Sequence, residues 1–390
     1  MEGMKIVHIS DIHISEHLTK GADKQYKAPH RYGHDVSAFL ALDSLLKSMD
    51  WDLLVITGDI TRIGNSQSFE YVRNWLESEL HIGAHCVGLN LSKDENKEYV
   101  IVPGNHDRFN GGLTQGSLDN YHQEFPVVKP GSSKSYYFRG ERINVHFYDS
   151  TEDNGSFAYG RIDEADLVPK SNNSDLNIAM LHHHFIQPPK HARETATELI
   201  NSADVSAYFI NSGFNGVFFG HTHQGFIDTL SIDVLAGILP DKKRFNRLLR
   251  RLIPKYFLRK IDDDCLVSYR RKSAKNGQLP TLKSYFEYLY LAKKNSEVKG
   301  PDKFDKISEF YKQLDEMTKE ASISKELEAL YKKEMLVSLA PSACQAEAKW
   351  VGFHEVTFSK NSSGEYRANW NRYQYNGAKF EKKTKDEHLS

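Results

Sequence analysis

The stretch YVIVPGNHD, residues 99–107, decides the class of fold. Its short apolar run stops at Pro103 and Gly104, which is typical of a buried strand in an α/β protein. Three polar residues follow without a gap, namely Asn105, His106 and Asp107. Because Asn and Asp favour turns, a turn alone would explain part of this pattern. The other explanation is that a charged group lies at the mouth of the strand and is held by these side chains.

Composition sets the outer limits of the interpretation. The 390 residues suffice for one large domain or about two to three ordinary ones, and 51 Lys and Arg against 52 Asp and Glu indicate no particular partner. Cys86, Cys265 and Cys344 form neither a disulfide framework nor a zinc spacing, as expected in a reducing compartment. No segment has the apolar length of a membrane span, and MKIVHIS near the N-terminus reads as a strand. The sequence predicts a soluble, cytoplasmic protein and leaves its oligomeric state open.

Up to about residue 240 the chain alternates strand, loop and helix, which favours an α/β fold with helices layered on sheet. Six apolar runs predict strands at residues 5–10, 52–58, 99–104, 143–150, 176–181 and 216–220. Apolar stripes predict helices over 36–49 and 69–80, the second capped by Ser66 or Ser68. Strand patterning returns in MLVSLAPS, and GFHEVTF and EYRANWNRYQY predict a hairpin.

Polar side chains of a few types follow five of these six strands. They are Asp11 and His13, Asp59, Asn105 and His106, His182 to His184, and His221 and His223. A turn, a helix cap or a hydrogen-bonded core histidine explains any one of them, but burying all of them without partners would be costly. In open α/β sheets ligands bind beyond the carboxyl ends of the strands, where this set lies. Carboxylate, amide and imidazole groups without thiolate suit Mn, Fe or Zn, so the set predicts a metal site.

The motif order Asp-x-His, Gly-Asp, Gly-Asn-His-Asp, His, Gly-His-x-His resembles the calcineurin-like metallophosphoesterase superfamily. The stretch GDITRIGNSQSFEYVRNWLESEL is similar to the branch that contains class III cyclic-nucleotide phosphodiesterases and glycerophosphodiesterases. The resemblance implies an α/β fold, a four-layer αββα sandwich of two mixed sheets flanked by helices. It divides the chain into a catalytic domain (1–240 and 334–376), a helical insertion that forms a cap or an interaction segment (241–333) and a charged tail (377–390).

The resemblance further implies two divalent metal ions, Mn, Fe or Zn, with Asp59 shared between them. One ion is held by Asp11, His13, Asp59 and His223, and the other by Asp59, Asn105, His182 and His221. Because the family places its ligand directly after the strand, His182 is chosen over His183. His106 then faces the substrate as the catalytic imidazole. Asp107 either orients His106 or caps the following segment.

The implied reaction is hydrolysis of a phosphoester, in particular a phosphodiester of the nucleotide type or a related one. Two metals about 3.5–4 Å apart produce a bound hydroxide and clamp the phosphoryl oxygens for in-line attack. His106 acts as general acid toward the leaving oxygen, a role worth roughly 10²–10⁴-fold. The alternative enzyme is a nuclease acting on DNA or RNA, since the superfamily contains nucleases with this ligand order. A metal-free binding module is the alternative from another class, and degenerate relatives of that kind lose ligands that this chain keeps.

Two further groups bear on the substrate. His30, Arg31 and His183 are candidates for contact with the substrate phosphate, while a polar solvated loop explains the first two equally well. The segment 242–275 is basic and amphipathic: residues 241–280 hold thirteen Lys and Arg against four Asp, a net charge of +9. An ordinary solvated face mixes both signs, so the segment predicts a surface for nucleic acid or another polyanion, or an interfacial helix on anionic lipid. A phosphoester substrate favours the polyanion.

Overall fold

The computed structural model describes residues 3–19, 35–109, 117–126, 131–151, 160–167, 175–186, 199–231, 334–344 and 350–383. The loop with His30 and Arg31, the predicted insertion 241–333 and residues 384–390 lie outside these ranges. Within them, no helix has the length and apolar character needed to cross a membrane.

The described chain contains fourteen strands and five α-helices. The strands are β1 (Met4–Ile9), β2 (Leu53–Thr57), β3 (Leu80–Ile82), β4 (His85–Val87), β5 (Glu98–Val102), β6 (Ser133–Phe138), β7 (Glu141–Phe147), β8 (Leu176–Met180), β9 (Gly216–Phe219), β10 (Phe226–Ser231), β11 (Glu334–Leu339), β12 (Gly352–Lys360), β13 (Tyr366–Tyr375) and β14 (Phe380–Lys383). The helices are α1 (Glu16–Thr19), α2 (Val36–Ser48), α3 (Ser66–Glu77), α4 (Asp119–Glu124) and α5 (Ser202–Asn211), with 3₁₀ turns at Leu91–Lys93, His106–Arg108 and Glu164–Asp166.

Two six-stranded mixed sheets form the centre of the molecule, and β3 and β4 make a separate small hairpin. The first sheet has the order β14-β13-β12-β1-β2-β5, in which β1, β2 and β5 are parallel and β12 runs antiparallel to β1. The second has the order β10-β11-β9-β8-β7-β6, in which β7, β8, β9 and β11 are parallel. The carboxyl ends of the parallel strands therefore gather at one edge of each sheet.

The core confirms the predicted four-layer sandwich. Between the sheets, Ile6 and Val55 of the first share one buried cluster with Ile178 of the second. On the outer face of the first sheet, Phe39 of α2 and Trp75 of α3 pack with ring centroids 5.1 Å apart. On the outer face of the second, the aromatic residues of α5 pack on those of the strand ends, with Phe209 against Tyr148, Phe185 and Phe214. The layers run helix, sheet, sheet, helix.

The six predicted strands and the predicted hairpin are confirmed with small shifts at their ends. The predicted caps of α3 are wrong, because Asn65 is the N-cap and its Oδ1 accepts from the backbone N–H of Ser68 at 2.8 Å. The start of the predicted charged tail also differs. Phe380 is 8% exposed and packs on Phe353, with ring centroids 5.4 Å apart, so Phe380–Lys383 joins the sheet as β14 instead.

The described chain breaks off before the predicted insertion, and resumes after it, at the end of the sheet far from the predicted ligands. β10 and β11 are antiparallel, with Phe226 opposite Leu339 and Ser231 opposite Glu334. Since β11 is parallel to β9, Leu339 lies at the ligand end and Glu334 at the other. A six-residue strand spans about 20 Å. The chain therefore leaves at Ser231 and returns at Glu334 on the side of the second sheet opposite to the ligand end.

Candidate metal centre

The candidate ligands lie on unusual backbone. Seven non-glycine residues of the described chain have positive φ, and five of them are Asp11 (54°), His13 (52°), Asp59 (49°), His221 (77°) and His223 (56°). Residues with a Cβ adopt this region rarely, and they remain there where the surrounding structure fixes them, often at functional sites. Here the N–H groups of Asp11 and His13 donate to the carbonyls of Gly58 and Asp59, at 3.0 and 2.9 Å. The sharp turns after the strands bring these side chains together over the sheet edge.

A first group of ligand atoms is formed by Asp11, His13, Asp59 and His223. One ligand atom from each of these four residues lies within 4.8 Å of all the others. His223 Nε2 is 3.1 Å from Asp11 Oδ1 and 3.4 Å from His13 Nε2. His13 Nε2 is 3.9 Å from Asp59 Oδ2. The four predicted ligands of the first ion thus converge on one point.

A second group is centred on His182 Nε2. This nitrogen lies 3.1 Å from His221 Nδ1, 3.1 Å from Asn105 Oδ1 and 3.5 Å from Asp59 Oδ1. The atoms of Asp59, His182 and His221 also lie within 4.8 Å of one another. All seven predicted ligands therefore fall in two adjoining groups that share the carboxylate of Asp59.

The glycines of the strand-end motifs are required by this packing. Gly58 has a φ of +88°, and a Cβ there would come within 2.5 Å of His182 Nδ1. A Cβ on Gly104 would collide with the carboxylate and backbone N of Asp59. The Pro-Gly break after β5 therefore lets the Asn105 loop approach Asp59 closely.

A buried polar layer between the sheets holds His182. Its Nδ1–H donates to the Thr57 carbonyl at 2.7 Å, which leaves Nε2 for the ligand group. The Thr57 hydroxyl hydrogen-bonds with His8 Nε2 at 2.9 Å, and His8 Nδ1 with the Ser338 hydroxyl at 2.7 Å. Ser338 in turn contacts His354 Nδ1 at 2.9 Å. Burial lowers the pKa of His8 to about 3 despite the charge of Asp11, so His8 is a neutral link between the two sheets.

Asp107 joins two ligand loops and does not take either of the predicted roles. Its carboxylate accepts from the N–H of Gly104 at 2.8 Å, the N–H and hydroxyl of Thr61 at 2.9 and 2.8 Å, and the N–H of Ile60 at 3.3 Å. These donors precede it in the chain, so it neither orients the ring of His106 nor caps the following segment. Burial and the charge of Asp59 raise the pKa of Asp107 to about 7. The carboxylate clamps the Asp59 loop to the Asn105 loop.

His106 lies beside the ligand groups and belongs to neither. Its backbone N–H donates to Asp59 Oδ1 at 2.8 Å, and its Nδ1–H donates to the Arg62 carbonyl at 3.2 Å. The ring stands edge-on to His13, with centroids 4.7 Å apart. Burial lowers the pKa of His106 although Asp59 opposes the shift. The imidazole is thus oriented through Nδ1.

His183 differs from its expected place. The side chain is fully buried, its Nδ1 contacts the Ser150 hydroxyl at 3.0 Å, and its ring lies 4.4 Å from that of His221. The same Ser150 hydroxyl accepts the backbone N–H of His183 at 3.0 Å. His183 packs behind His221 and has no exposed surface for the predicted substrate contact. The other two predicted contacts, His30 and Arg31, lie outside the described residues.

The charges of the two groups suit divalent cations. Burial opposes ionisation of Asp59, but His182 and His106 hold the pKa of its carboxyl well below the usual value. Burial also disfavours the charged form of His182, yet Asp59 raises its pKa to about 9. His13 and His221 have lowered pKa values because they are buried beside other imidazoles. Anionic carboxylates, an amide oxygen and imidazole nitrogens facing one another at 3.1 and 3.4 Å fit metal ions of borderline hardness.

The family model for calcineurin-like phosphoesterases matches residues 4–225, more than half of the chain. The chain belongs to the calcineurin-like phosphoesterase family. Together with the two ligand groups, membership identifies a metal-dependent phosphoesterase. No curated protein matches the sequence. Among solved structures, a protein of unknown function from Aquifex aeolicus is similar at 16% identity over 57% of this chain and 80% of its own, and its TM-score of 0.25 supports no argument.

Sequence reasoning missed the residues that support this phosphoesterase site. His8, Thr57 and Ser338 lie within strands, and Ser338 is 330 positions from His8. Arg108 bridges to the second sheet, donating to Asp149 Oδ2 at 2.9 Å and to the Thr151 hydroxyl at 2.6 Å. The one available signal was His8, a polar residue inside the apolar run KIVHIS. A histidine buried in a strand needs a hydrogen-bond partner, so its position indicates a buried polar contact.

Proposed function

We propose that this phosphoesterase hydrolyses phosphodiesters with two divalent ions, Mn, Fe or Zn, that share Asp59. The proposal is based mainly on the carboxylate of Asp59, whose two oxygens lie near ligand atoms of both groups. Asp59 Oδ2 is 3.9 Å from His13 Nε2, and Asp59 Oδ1 is 3.5 Å from His182 Nε2. Asp11, His13 and His223 complete the first set, and Asn105, His182 and His221 the second.

When bound, two such ions would lower the pKa of a water and neutralise charge on the phosphoryl oxygens. The chain supplies the orientation and the proton. Arg62 fixes the ring of His106 through Nδ1, at 3.2 Å, so a proton carried on Nε2 is aimed away from that carbonyl. His106 gives this proton to the leaving oxygen as a general acid. Asp59 holds the backbone of His106 at 2.8 Å, which couples the imidazole to the ligand groups.

A diester is preferred over a monoester because of the sequence between Gly58 and Leu80. This stretch resembles the branch with cyclic-nucleotide phosphodiesterases and glycerophosphodiesterases. Its residues form the Asp59 turn, the Asn65 cap and α3, so the resemblance covers one side of the candidate centre.

Metal analysis and a substrate panel test the proposal together. The purified chain should hold two divalent ions, and it should hydrolyse bis(p-nitrophenyl) phosphate faster than p-nitrophenyl phosphate. The panel extends to cyclic nucleotides, dinucleotides, glycerophosphodiesters and single- and double-stranded nucleic acid. His122→Ala, which removes an exposed imidazole away from the ligands, is the matched control. Cleavage of nucleic acid alone would favour a nuclease, and a metal-free, inactive chain would overturn the proposal.

A further inference from the structure

Arg372 is a buried cation without a counter-charge among the residues that the structure describes. It lies on β13 and is 9% exposed, and its Cζ is 4.7 Å from the ring centre of Trp350. Among the described residues no carboxylate pairs with this guanidinium and no acceptor hydrogen-bonds to it, and burial alone lowers its pKa. Arg367 of the same strand behaves normally: it is exposed and its Nη1 is 2.9 Å from Glu334 Oε2.

An unpaired buried guanidinium is unfavourable. Removing a charge from water costs much more than the face of one tryptophan returns, so buried cations are normally paired with anions. At 9% exposure, a small part of Arg372 remains in contact with solvent. A cation kept in such a place with no anion among the described residues points to an anion that arrives from solution.

Its position places that anion beside the metal centre. Arg372 is opposite His354 of β12, which is opposite His8 of β1, so it continues the polar layer that holds His182. A Cβ on Gly225 would lie 3.0 Å from Arg372 Nη2. Gly225 follows His223 by two residues, a separation of at most about 7 Å along the chain. The guanidinium therefore contacts the loop that carries two candidate ligands.

A second segment connects Arg372 to the first ligand group. The same Gly225 position would meet Pro341 at 3.3 Å. The next residue, Ser342, donates from its hydroxyl to the Asp11 carbonyl at 2.8 Å. Gly225, which lies against Arg372 Nη2, thus also adjoins the segment that supports Asp11, and Trp350 lies over the face of the guanidinium.

We propose that Arg372, backed by Trp350, is a subsite for a second phosphate of the substrate, separate from the phosphoester that is cleaved. A guanidinium presents paired N–H donors that match two oxygens of one phosphate. The substrate class is then a phosphodiester that carries a further phosphate, either a terminal monoester or the next link of an oligonucleotide. The identification of the bound anion as a phosphate of the substrate rests on the proposed function. Anion binding itself rests only on the geometry of Arg372.

The first test measures anion binding without turnover. The full chain is treated with chelator and melted with and without inorganic phosphate. Phosphate should raise the Tm of the wild type and of the control Arg367→Met, because a ligand that binds the native state stabilises it. Arg372→Met should lose this increase, and Arg372→Lys should retain part of it. Without phosphate, Arg372→Met should melt no lower than the wild type, since it removes an unpaired buried charge. An equal phosphate shift in Arg372→Met would overturn the subsite.

The second test uses the metal-loaded enzyme and three substrates, TpT, pTpT and TpTpT. Arg372→Met should raise the KM for a substrate with a second phosphate on the order of 10- to 100-fold more than the KM for TpT, the effect of one charge-assisted hydrogen-bonded contact. A larger effect on pTpT identifies a terminal phosphate, and a larger effect on TpTpT identifies the next diester. Equal increases for all three would overturn the subsite, because they would show a general effect on structure.

The two proposals fail in different ways. If the wild type hydrolyses no phosphoester while phosphate still stabilises it through Arg372, the proposed function is wrong and the anion site stands. If bis(p-nitrophenyl) phosphate is hydrolysed but phosphate stabilises Arg372→Met as well as the wild type, the function stands and the subsite is wrong.

Discussion

The two ligand groups reach the same chemistry by different means. In the first group, Asp11, His13 and His223 all have positive φ, so their geometry is stored in the backbone turns. In the second, His221 also has a positive φ, but Asn105 has an ordinary helical φ of −69°, and His182 is held by a side-chain hydrogen bond to the Thr57 carbonyl. The hydroxyl of the same Thr57 hydrogen-bonds with His8, and His8 hydrogen-bonds with Ser338 of the facing sheet.

Burial separates two of the ligands rather than the two groups. The side chain of His223 is 16% exposed and that of His182 is fully buried, but His221 of the second group is also partly exposed. Ligands fixed by their own backbone turns should tolerate changes in the surrounding side chains. A ligand fixed by a hydrogen bond in the interior, such as His182, should respond to substitutions that never touch the ion, since residues behind a ligand orient it.

Asp59→Asn should have the largest effect because it removes the carboxylate that both groups share. We expect the metal content to fall at both sites and the activity to fall by at least roughly 1,000-fold, which corresponds to about 4 kcal/mol of transition-state stabilisation. Elemental analysis of the purified variant and hydrolysis of bis(p-nitrophenyl) phosphate measure the two effects. Asp119→Asn, an exposed carboxylate, is the control. Two ions per chain with near-normal turnover would show that the groups do not share Asp59.

His106→Ala should leave metal binding by both groups unchanged and should affect catalysis alone. The imidazole belongs to neither set, so both ions should remain while kcat falls by roughly 10²–10⁴-fold. Bis(p-nitrophenyl) phosphate should lose less activity than an unactivated diester, because its leaving group needs little protonation. Elemental analysis and a comparison of the two substrates check this outcome. Loss of one ion would make His106 a ligand, and the assignment of roles would be wrong.

The local part of this arrangement could be predicted from the sequence. Strand ends show themselves through apolar runs followed by breakers, and the ligand types stand directly behind them. The pattern thus located Asp11, Asp59, Asn105 and the run His182 to His184 without knowledge of any contact between them, and the family resemblance selected His182 within that run. Their convergence follows because parallel strands end at the same edge of a sheet.

The supporting part could not be predicted in the same way. Thr57 is an ordinary strand residue, and its partner His8 becomes meaningful only when the register of two strands is known. Arg372 and Trp350 meet only after β12 and β13 have paired. The strand at Phe380 was not predicted because the residues around it are mostly charged. The burial of one ring, that of Phe380, determines that the segment joins the sheet. Long-range pairing of this kind leaves little trace in local pattern.

Thr57→Val tests the side-chain support of the second group. The change keeps the shape and removes the hydroxyl that contacts His8, so the Thr57 segment loses its link to the facing sheet. We expect about 10- to 100-fold weaker binding of one ion, the usual effect of residues behind a ligand. Calorimetric titration of chelator-treated protein with Mn²⁺ should show one weakened step, the same step that His182→Ala removes. Thr57→Ser should restore it, and weakening of both steps would contradict the division between the groups.

Ser342→Ala tests the backbone support of the first group and should have the smallest effect. The Ser342 hydroxyl donates to the Asp11 carbonyl at 2.8 Å, but the Asp11 turn is also held by its own N–H on Gly58 and by the N–H of His13 on Asp59. Loss of one neutral hydrogen bond, worth about 0.5–1.5 kcal/mol, should therefore weaken one ion by about 2- to 10-fold. In the same Mn²⁺ titration, the affected step should be the one that Thr57→Val leaves unchanged. If Ser342→Ala weakened its ion as strongly as Thr57→Val weakens the other, the first group would depend on its surroundings as much as the second, and positive φ would not be what holds it.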